Sequence, residues 1–438
     1  MEPIDSRDEE SPLLVGNSST KIPENHTRDV HILSSAFLLI FLAYGAAQNL
    51  QTTVNTEEDL GTISLGILYV SFTFFSLVAS LVVRFLGSKN ALILGTTGYW
   101  LFIAANLKPS WYTMVPASLY LGFTASIIWV GEGTYLTSTA LSHARDYNLH
   151  EGKVIGNFNG EFWGAFASHQ FVGNLITLAI LRDGKDGSTS GTTLLFVVFL
   201  CIMTLGIILM CFLQKRDGKT EDGPGESSAT LYDSIVSRLS LVITPLLNVR
   251  MLLIVPLMAY SGLQQAFVWA AFTKSVVTPT MGVSGVGGAM AVYGAADAIC
   301  SLAAGRLTSD LKSITMIVSG GAFAQTVIFL WLLIYSAPSG VLGVIYPLLM
   351  AALLGVGDGV LNTQLNALIG LLFKHDTEGA FAQLKVWQSA SIAIVYFLNS
   401  YISLQAMLVI MLAGICLSYG GILFLVLHLE KAFSSSSL

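Results

Sequence analysis

Charge is scarce in this chain. Of 438 residues only 21 are Lys or Arg and 27 are Asp or Glu, while 53% are hydrophobic. An ordinary soluble domain carries about a quarter of its residues as charges, so that class is excluded. Cysteine is rare too. Cys201, Cys211, Cys300 and Cys416 each sit inside an apolar run, where they read as small apolar side chains, not as a disulfide framework or metal site. A phosphate-cradling glycine loop with a lysine, a His/Cys cluster at metal spacing and a nucleophile–base pair on facing segments are all missing, so no enzyme, cofactor, metal or nucleic-acid chemistry is expected. The glycines of 282–288 lack a preceding strand and a basic partner, and read as a flexible outer loop. Residues 1–30 lack an apolar stretch behind a basic one and are acidic, which argues against a cleaved signal or transit peptide.

What is abundant is apolar length. About 20 residues of helix cross ~30 Å of hydrocarbon, and such runs fall near 32–54, 62–83, 91–107, 113–139, 162–181, 192–213, 251–273, 287–304, 313–335, 340–369, 382–401 and 404–428. The expectation is an all-α polytopic membrane protein with twelve transmembrane helices in the lipid bilayer. Its segments divide as a cytosolic tail (1–30), a six-helix half (31–213), a cytosolic linker with an amphipathic segment (214–249), a second six-helix half (250–429) and a short cytosolic tail (430–438). The weakest boundary is 273–287, where Pro279 and four glycines interrupt the pattern. With an inside N-terminus, all basic residues but Lys108, Arg182, Lys185 and Lys274 fall on the cytosolic side, as the positive-inside rule requires.

Within the apolar runs stand two acids flanked by glycines, Glu132 in Gly131-Glu132-Gly133 and Asp358 in Gly357-Asp358-Gly359. An intramembrane acid is costly and persists facing a bundle interior or a water-filled cavity. The pair recurs at equivalent places of two halves, as do Ala43-Tyr44 with Gln48-Asn49 against Ala259-Tyr260 with Gln264-Gln265. Gly156, Phe158 and Trp163 likewise match Gly379, Phe381 and Trp387. A direct duplication with acids near the midplane is a transporter layout.

In the tail, Glu9 precedes Leu13-Leu14 as in an adaptor-read sorting signal for vacuolar or endosomal membranes. The alternative is a disordered segment carrying Leu-Leu by chance, with residence in the plasma membrane. In the linker, Leu231, Ile235, Val236, Leu239 and Val242 recur at helical spacing and should lie along the membrane face.

Gln48-Asn49-Leu50-Gln51-Thr52, Leu65-Gly66-Ile67-Leu68-Tyr69, the string from Ile127 through Trp129-Val130-Gly131-Glu132-Gly133 to Thr137, and Tyr260-Ser261-Gly262-Leu263-Gln264-Gln265 together resemble the Unc-93-like family of the major facilitator superfamily over essentially the whole membrane domain. The resemblance implies that the first, fourth, seventh and tenth spans line a central cavity. That places Tyr44, Gln48, Asn49, Glu132, Tyr260, Gln264, Gln265, Asp358 and Asn362 near it. For the amides the plainer role is interhelical hydrogen bonding; for the acids it is proton or cation coupling. The superfamily's gating loop usually carries an acid. Here Arg84 to Lys89 lacks one, whereas Arg306 to Asp310 keeps both signs. The resemblance also brings the fifth and eighth spans together, where His169 and Asp297, each about nine residues deep, ~13 Å, would pair as a static clamp or a titrating switch. Glu161 and Lys385, at the starts of the fifth and eleventh spans, read as charges reaching for water.

Two functions follow. One is a secondary transporter of a small solute or ion, potassium or proton, with Glu132 and Asp358 as coupling groups. The other, implied by animal relatives that regulate or escort membrane proteins, is a non-transporting regulatory subunit or trafficking escort for a partner such as an ion channel.

Overall fold

A computed structural model of the chain describes residues 25–54, 60–182, 189–215, 248–334, 341–398 and 401–429. Glu9, Leu13, Leu14, nearly all of the linker and the last nine residues lie outside them. The described residues form twelve α-helices and no strand. In chain order these are α1 (His26–Val54), α2 (Leu60–Leu86), α3 (Ser88–Ala105), α4 (Trp111–Asp146), α5 (Glu151–Arg182), α6 (Thr189–Cys211), α7 (Val249–Ala266), α8 (Thr278–Leu307), α9 (Leu311–Ile334), α10 (Val341–Leu372), α11 (Thr377–Leu398) and α12 (Leu404–Phe424). Nine segments among them are long and apolar enough to cross a membrane by length and composition. Together they make the chain a multi-pass integral membrane protein. The helices without such a window are α3, α5 and α11, and α11 carries the buried Gln383, Lys385, Gln388, Ser389 and Ser391.

Local chemistry starts the helices. Ser110 and Thr113 form a capping box at α4, Asn248 accepts from the Arg250 amide at α7, and Ser403 accepts from the Ala406 amide at α12. The outer loop expected at 282–288 is not found. A π-helical stretch, Phe267–Val277, carries α7 directly into α8, and these glycines are helical. Pro279 falls in the first turn of α8, directly after the π-helical stretch, where the hydrogen-bond register changes from the wider turn. The hydroxyls of Thr278 and Thr280 donate to the carbonyls of Thr273 and Val276 at 2.8 Å each, and the Thr273 carbonyl also accepts from the Thr278 backbone N–H, so side chains reinforce the passage from the wider turn.

Packing repeats with the sequence. α2 lies along α4 and α8 along α10; α1 packs on α5 and α6, and α7 on α11 and α12. The first six helices meet the last six along two equivalent seams, α5 against α8 and α2 against α11, with α4 touching α11 and α10 touching α5 beside them. Glycines set the first seam: a Cβ on Gly160 would stand 2.7 Å from the Gly305 Cα, and one on Gly156 would stand 2.9 Å from the Gly305 carbonyl oxygen. Close backbone approach of small residues is a standard device for helix association in lipid.

Candidate functional site

Between the two sets of six helices lies a cavity of about 300 Å³, walled by α1, α2, α3, α4, α5, α7, α8, α10 and α11 together with the π-helical stretch. Its apolar wall is aromatic. Trp129 and Trp163 stack with centroids 6.0 Å apart, Tyr44 meets Tyr99 edge-on at 4.8 Å, and Tyr69 of α2 stacks on Tyr396 of α11 across a seam at 5.7 Å.

The two acids sit in unlike surroundings. Asp358 of α10 lines the cavity and is hydrogen-bonded on both oxygens: the Tyr293 hydroxyl donates to Oδ2 at 2.5 Å, and the amides of Asn362 and Gln264 donate to Oδ1 at 2.9 and 3.4 Å. Glu132 of α4 is fully buried, and neither oxygen has a hydrogen-bond partner. Its charged neighbour is Lys385 of α11, whose field it feels. The expectation that Lys385 reaches out to water is corrected: the residue is 3% exposed. α11 starts at Thr377, so Lys385 lies more than two turns inside it. Its ammonium rests 4.6 Å from the Trp129 ring centre and donates to Gln388 Oε1 at 3.0 Å. Gln388 in turn donates to Ser261 of α7 at 3.2 Å.

The flanking glycines serve packing. A Cβ on Gly133 would fall 2.4 Å from the Phe381 ring, one on Gly357 would fall 2.2 Å from the Gln325 amide, and one on Gly359 would fall 2.5 Å from the Asp297 carbonyl. They admit neighbouring helices beside the acids and give the carboxyls no extra room.

The amides and tyrosines form interhelical bonds. Gln48 donates to the Tyr69 hydroxyl at 2.9 Å, Gln265 to Asn362 Oδ1 at 3.3 Å, and the Tyr260 hydroxyl to Gln325 at 2.5 Å. Tyr44 is buried against aromatic rings, and the side chain of Asn49 lies outside the described structure. His169 and Asp297 both line the cavity but take separate partners. The His169 Nδ1–H donates to its own helix at the Phe166 carbonyl, 2.5 Å away, with the other edge of the ring against Gly45, whereas Asp297 accepts from Ser301 at 3.0 Å. Neither bonds the other.

At the end of the bundle that carries most basic residues, the gating loops work differently from the sequence pattern. Asp310 accepts from the Ser313 amide at 2.7 Å and so caps α9; Arg306 and Lys89 take no part in a clasp with it. Arg84 instead pairs with Asp376 and, at 4.0 Å, Glu378 of the other six-helix set, and Lys374 pairs with Glu151. The acid absent from the 84–89 loop is thus supplied across the seam. Glu161 pairs with His31.

Sequence reasoning missed Tyr293, took Lys385 for an interfacial charge, and met Trp129 and Trp163 only as parts of a motif string and a repeat, not as a stacked pair on the cavity wall. The available signal was Lys385-x-x-Gln388 beside Gln383 and Ser389, a polar stripe within an otherwise apolar run.

The model of the family described as "Ion channel regulatory protein UNC-93" matches residues 52–425. UNC93-like protein 3 of Arabidopsis thaliana is 72% identical over 92% of this chain and 88% of its own length, and protein unc-93 homolog A of Homo sapiens is 30% identical over 89% and 91%. Among solved structures, the fucose:proton symporter FucP of E. coli superposes with a TM-score of 0.65 at 13% identity, over 92% of this chain and 99% of that one. The chain belongs to the UNC-93 family and has the fold of major facilitator superfamily transporters.

Proposed function

We propose that this protein is a secondary transporter-type member of its family, in which the central cavity alternates between the two membrane faces to move a small solute or ion and Glu132 with Lys385 and Asp358 forms the coupling machinery. The observation that carries this reading is the buried, hydrogen-bond-free carboxyl of Glu132 facing a buried ammonium across the junction of the two six-helix sets. An unsatisfied buried acid is a standing cost to folding, retained where its charge state is used. The clasp of Arg84 with Asp376 and Glu378 and of Lys374 with Glu151 supports a state closed at the basic end. We place that end and both termini in the cytosol, with Glu9, Leu13 and Leu14 directing the protein to a vacuolar or endosomal membrane and the residues before and after the 214–249 linker acting as two halves.

A second reading is favoured by the family's description as ion channel regulatory: the same scaffold binds a channel subunit and sets its activity. Glu132→Gln and Asp358→Asn separate the two at equal expression. In the transporter these substitutions abolish gradient-driven uptake while folding and localisation persist. In a regulator they leave the effect on the partner unchanged. Amide variants that are folded, correctly placed and fully active in a channel-regulation assay would sink the coupling role.

A further inference from the structure

The protein satisfies the charged groups around the cavity unequally. Asp358 accepts three hydrogen bonds and Asp297 one, all from the protein's own side chains. Lys385 has three N–H donors and hydrogen-bonds to one side-chain acceptor, Gln388 Oε1. Beside it Trp163 lines the cavity, is 5% exposed, and has no partner for its indole N–H; the Trp269 N–H on the cavity wall is also unpartnered. Free N–H donors thus stand at one place on the cavity wall, around Lys385 and Trp163, while at the other Asp358 has both oxygens hydrogen-bonded and Asp297 has one. A buried donor without an acceptor carries a desolvation cost that an incoming oxygen relieves.

We infer that the cavity binds a small organic anion, with its carboxylate accepting from Lys385 Nζ and the Trp163 indole and its planar apolar body against Tyr69, Phe72 and Tyr396. This names a ligand class for the cavity proposed above and rests on that cavity, though not on transport. Two donor groups of different shape, an ammonium and a single indole N–H, suit the two oxygens of a carboxylate. The lining has no Arg, so the forked bidentate recognition on which many phosphate sites rely is missing, and one ammonium is matched to a single negative charge. The volume is at the lower end of small-ligand pockets. Glu132 does not line the cavity, and Lys385 is the charged group whose field reaches it. The Glu132–Lys385 unit is neutral as a whole, so an arriving carboxylate adds one negative charge that a proton on Glu132 offsets.

The test uses the purified full chain in nanodiscs and three probes that share a ring system, 1-naphthoate, 1-naphthylmethanol and 1-naphthylmethylamine, titrated by calorimetry. Naphthoate is expected to bind about tenfold more tightly than the alcohol, since a charge-assisted hydrogen bond separates them. Lys385→Gln should erase that preference. Trp163→Phe removes the N–H while keeping an aromatic side chain, so it should weaken naphthoate several-fold and the alcohol less; it carries the test if Lys385→Gln does not fold. Preference for the amine, equal affinity for all three probes, or no heat from any of them would overturn the assignment. Naphthoate binding without flux in liposomes would overturn the transporter reading and leave this one standing, and flux without naphthoate binding would do the reverse.

Discussion

Lys385 decides how the residues near the centre of the bundle are understood. Hydropathy places the eleventh span at 382, which strands Lys385 at a membrane edge, whereas the helix begins at Thr377 and carries the ammonium into the interior. Beyond Gln388 of its own helix, its burial depends on the Trp129 and Trp163 rings of α4 and α5 and, through Gln388, on the Ser261 hydroxyl of α7, partners that a one-dimensional pattern does not contain. Removing one charge of a buried, mutually compensating pair strands the other, at about 3 kcal/mol. Lys385→Met should therefore lower the stability of detergent-solubilised protein by roughly that amount, and adding Glu132→Gln should recover more than half of it. Strictly additive losses in chemical denaturation would show that the two charges do not compensate. At the surface, Asp310 offers a pH test. Its carboxyl is held below the usual range chiefly by the Ser313 amide, helped by the Ser313 hydroxyl and opposed by slight burial. A depressed value stabilises the folded cap above the ordinary carboxylate pKa, and that stability is lost as pH falls through the lowered one. Asp310→Ala should thus cost about 1 kcal/mol at neutral pH. The gap from wild type should close below pH ~4, as read by amide exchange in the first turn of α9.

Among elements, the seams carry the consequence of the glycines. Gly160 and Gly305 bring α5 and α8 into backbone contact, so Gly160→Leu should destabilise by about 1–3 kcal/mol through overpacking. Gly287→Ala, where a Cβ meets nothing within 4 Å, should be neutral or slightly stabilising. Thermal unfolding of the two variants side by side checks the contrast. The clasp at the basic end acts on shape more than on stability. An ion pair near the surface contributes at most about 1 kcal/mol, so Arg84→Glu should barely change unfolding yet raise the labelling rate of a cysteine placed at Ala380, buried beside the clasp, and Asp376→Arg added to it should restore protection. Most helices were legible because apolar runs and caps punctuate them. The passage from α7 to α8 was not: Pro279 and the glycines read as a break, and only threonine hydroxyls donating to nearby carbonyls reveal how a helix passes through.

At the scale of the whole molecule the duplication is the strongest written signal. The recurrence of Tyr44 and Tyr260, and of Glu132 and Asp358, corresponds to a packing pattern in which α1, α2, α4 and α5 reappear as α7, α8, α10 and α11. What the duplication hides is divergence: Asp358 is enclosed by Tyr293, Asn362 and Gln264, while its counterpart Glu132 has no hydrogen bond and answers to a lysine from the other six helices. One acid on the cavity wall and its counterpart buried behind the wall fit the proposed device, which binds in one place and couples in another. Epitopes at both termini should be accessible only after the membrane is permeabilised, and one inserted at Asp183 should face the opposite side; termini on opposite sides would break the orientation. The most direct trial of the transport claim is flux by purified protein in liposomes under imposed potassium and proton gradients. Wild type should move charge or protons down the imposed gradient, and Glu132→Gln, reconstituted to the same density, should not. Folded wild-type protein that is silent under every gradient, or a Glu132→Gln variant that matches it, would contradict the claim.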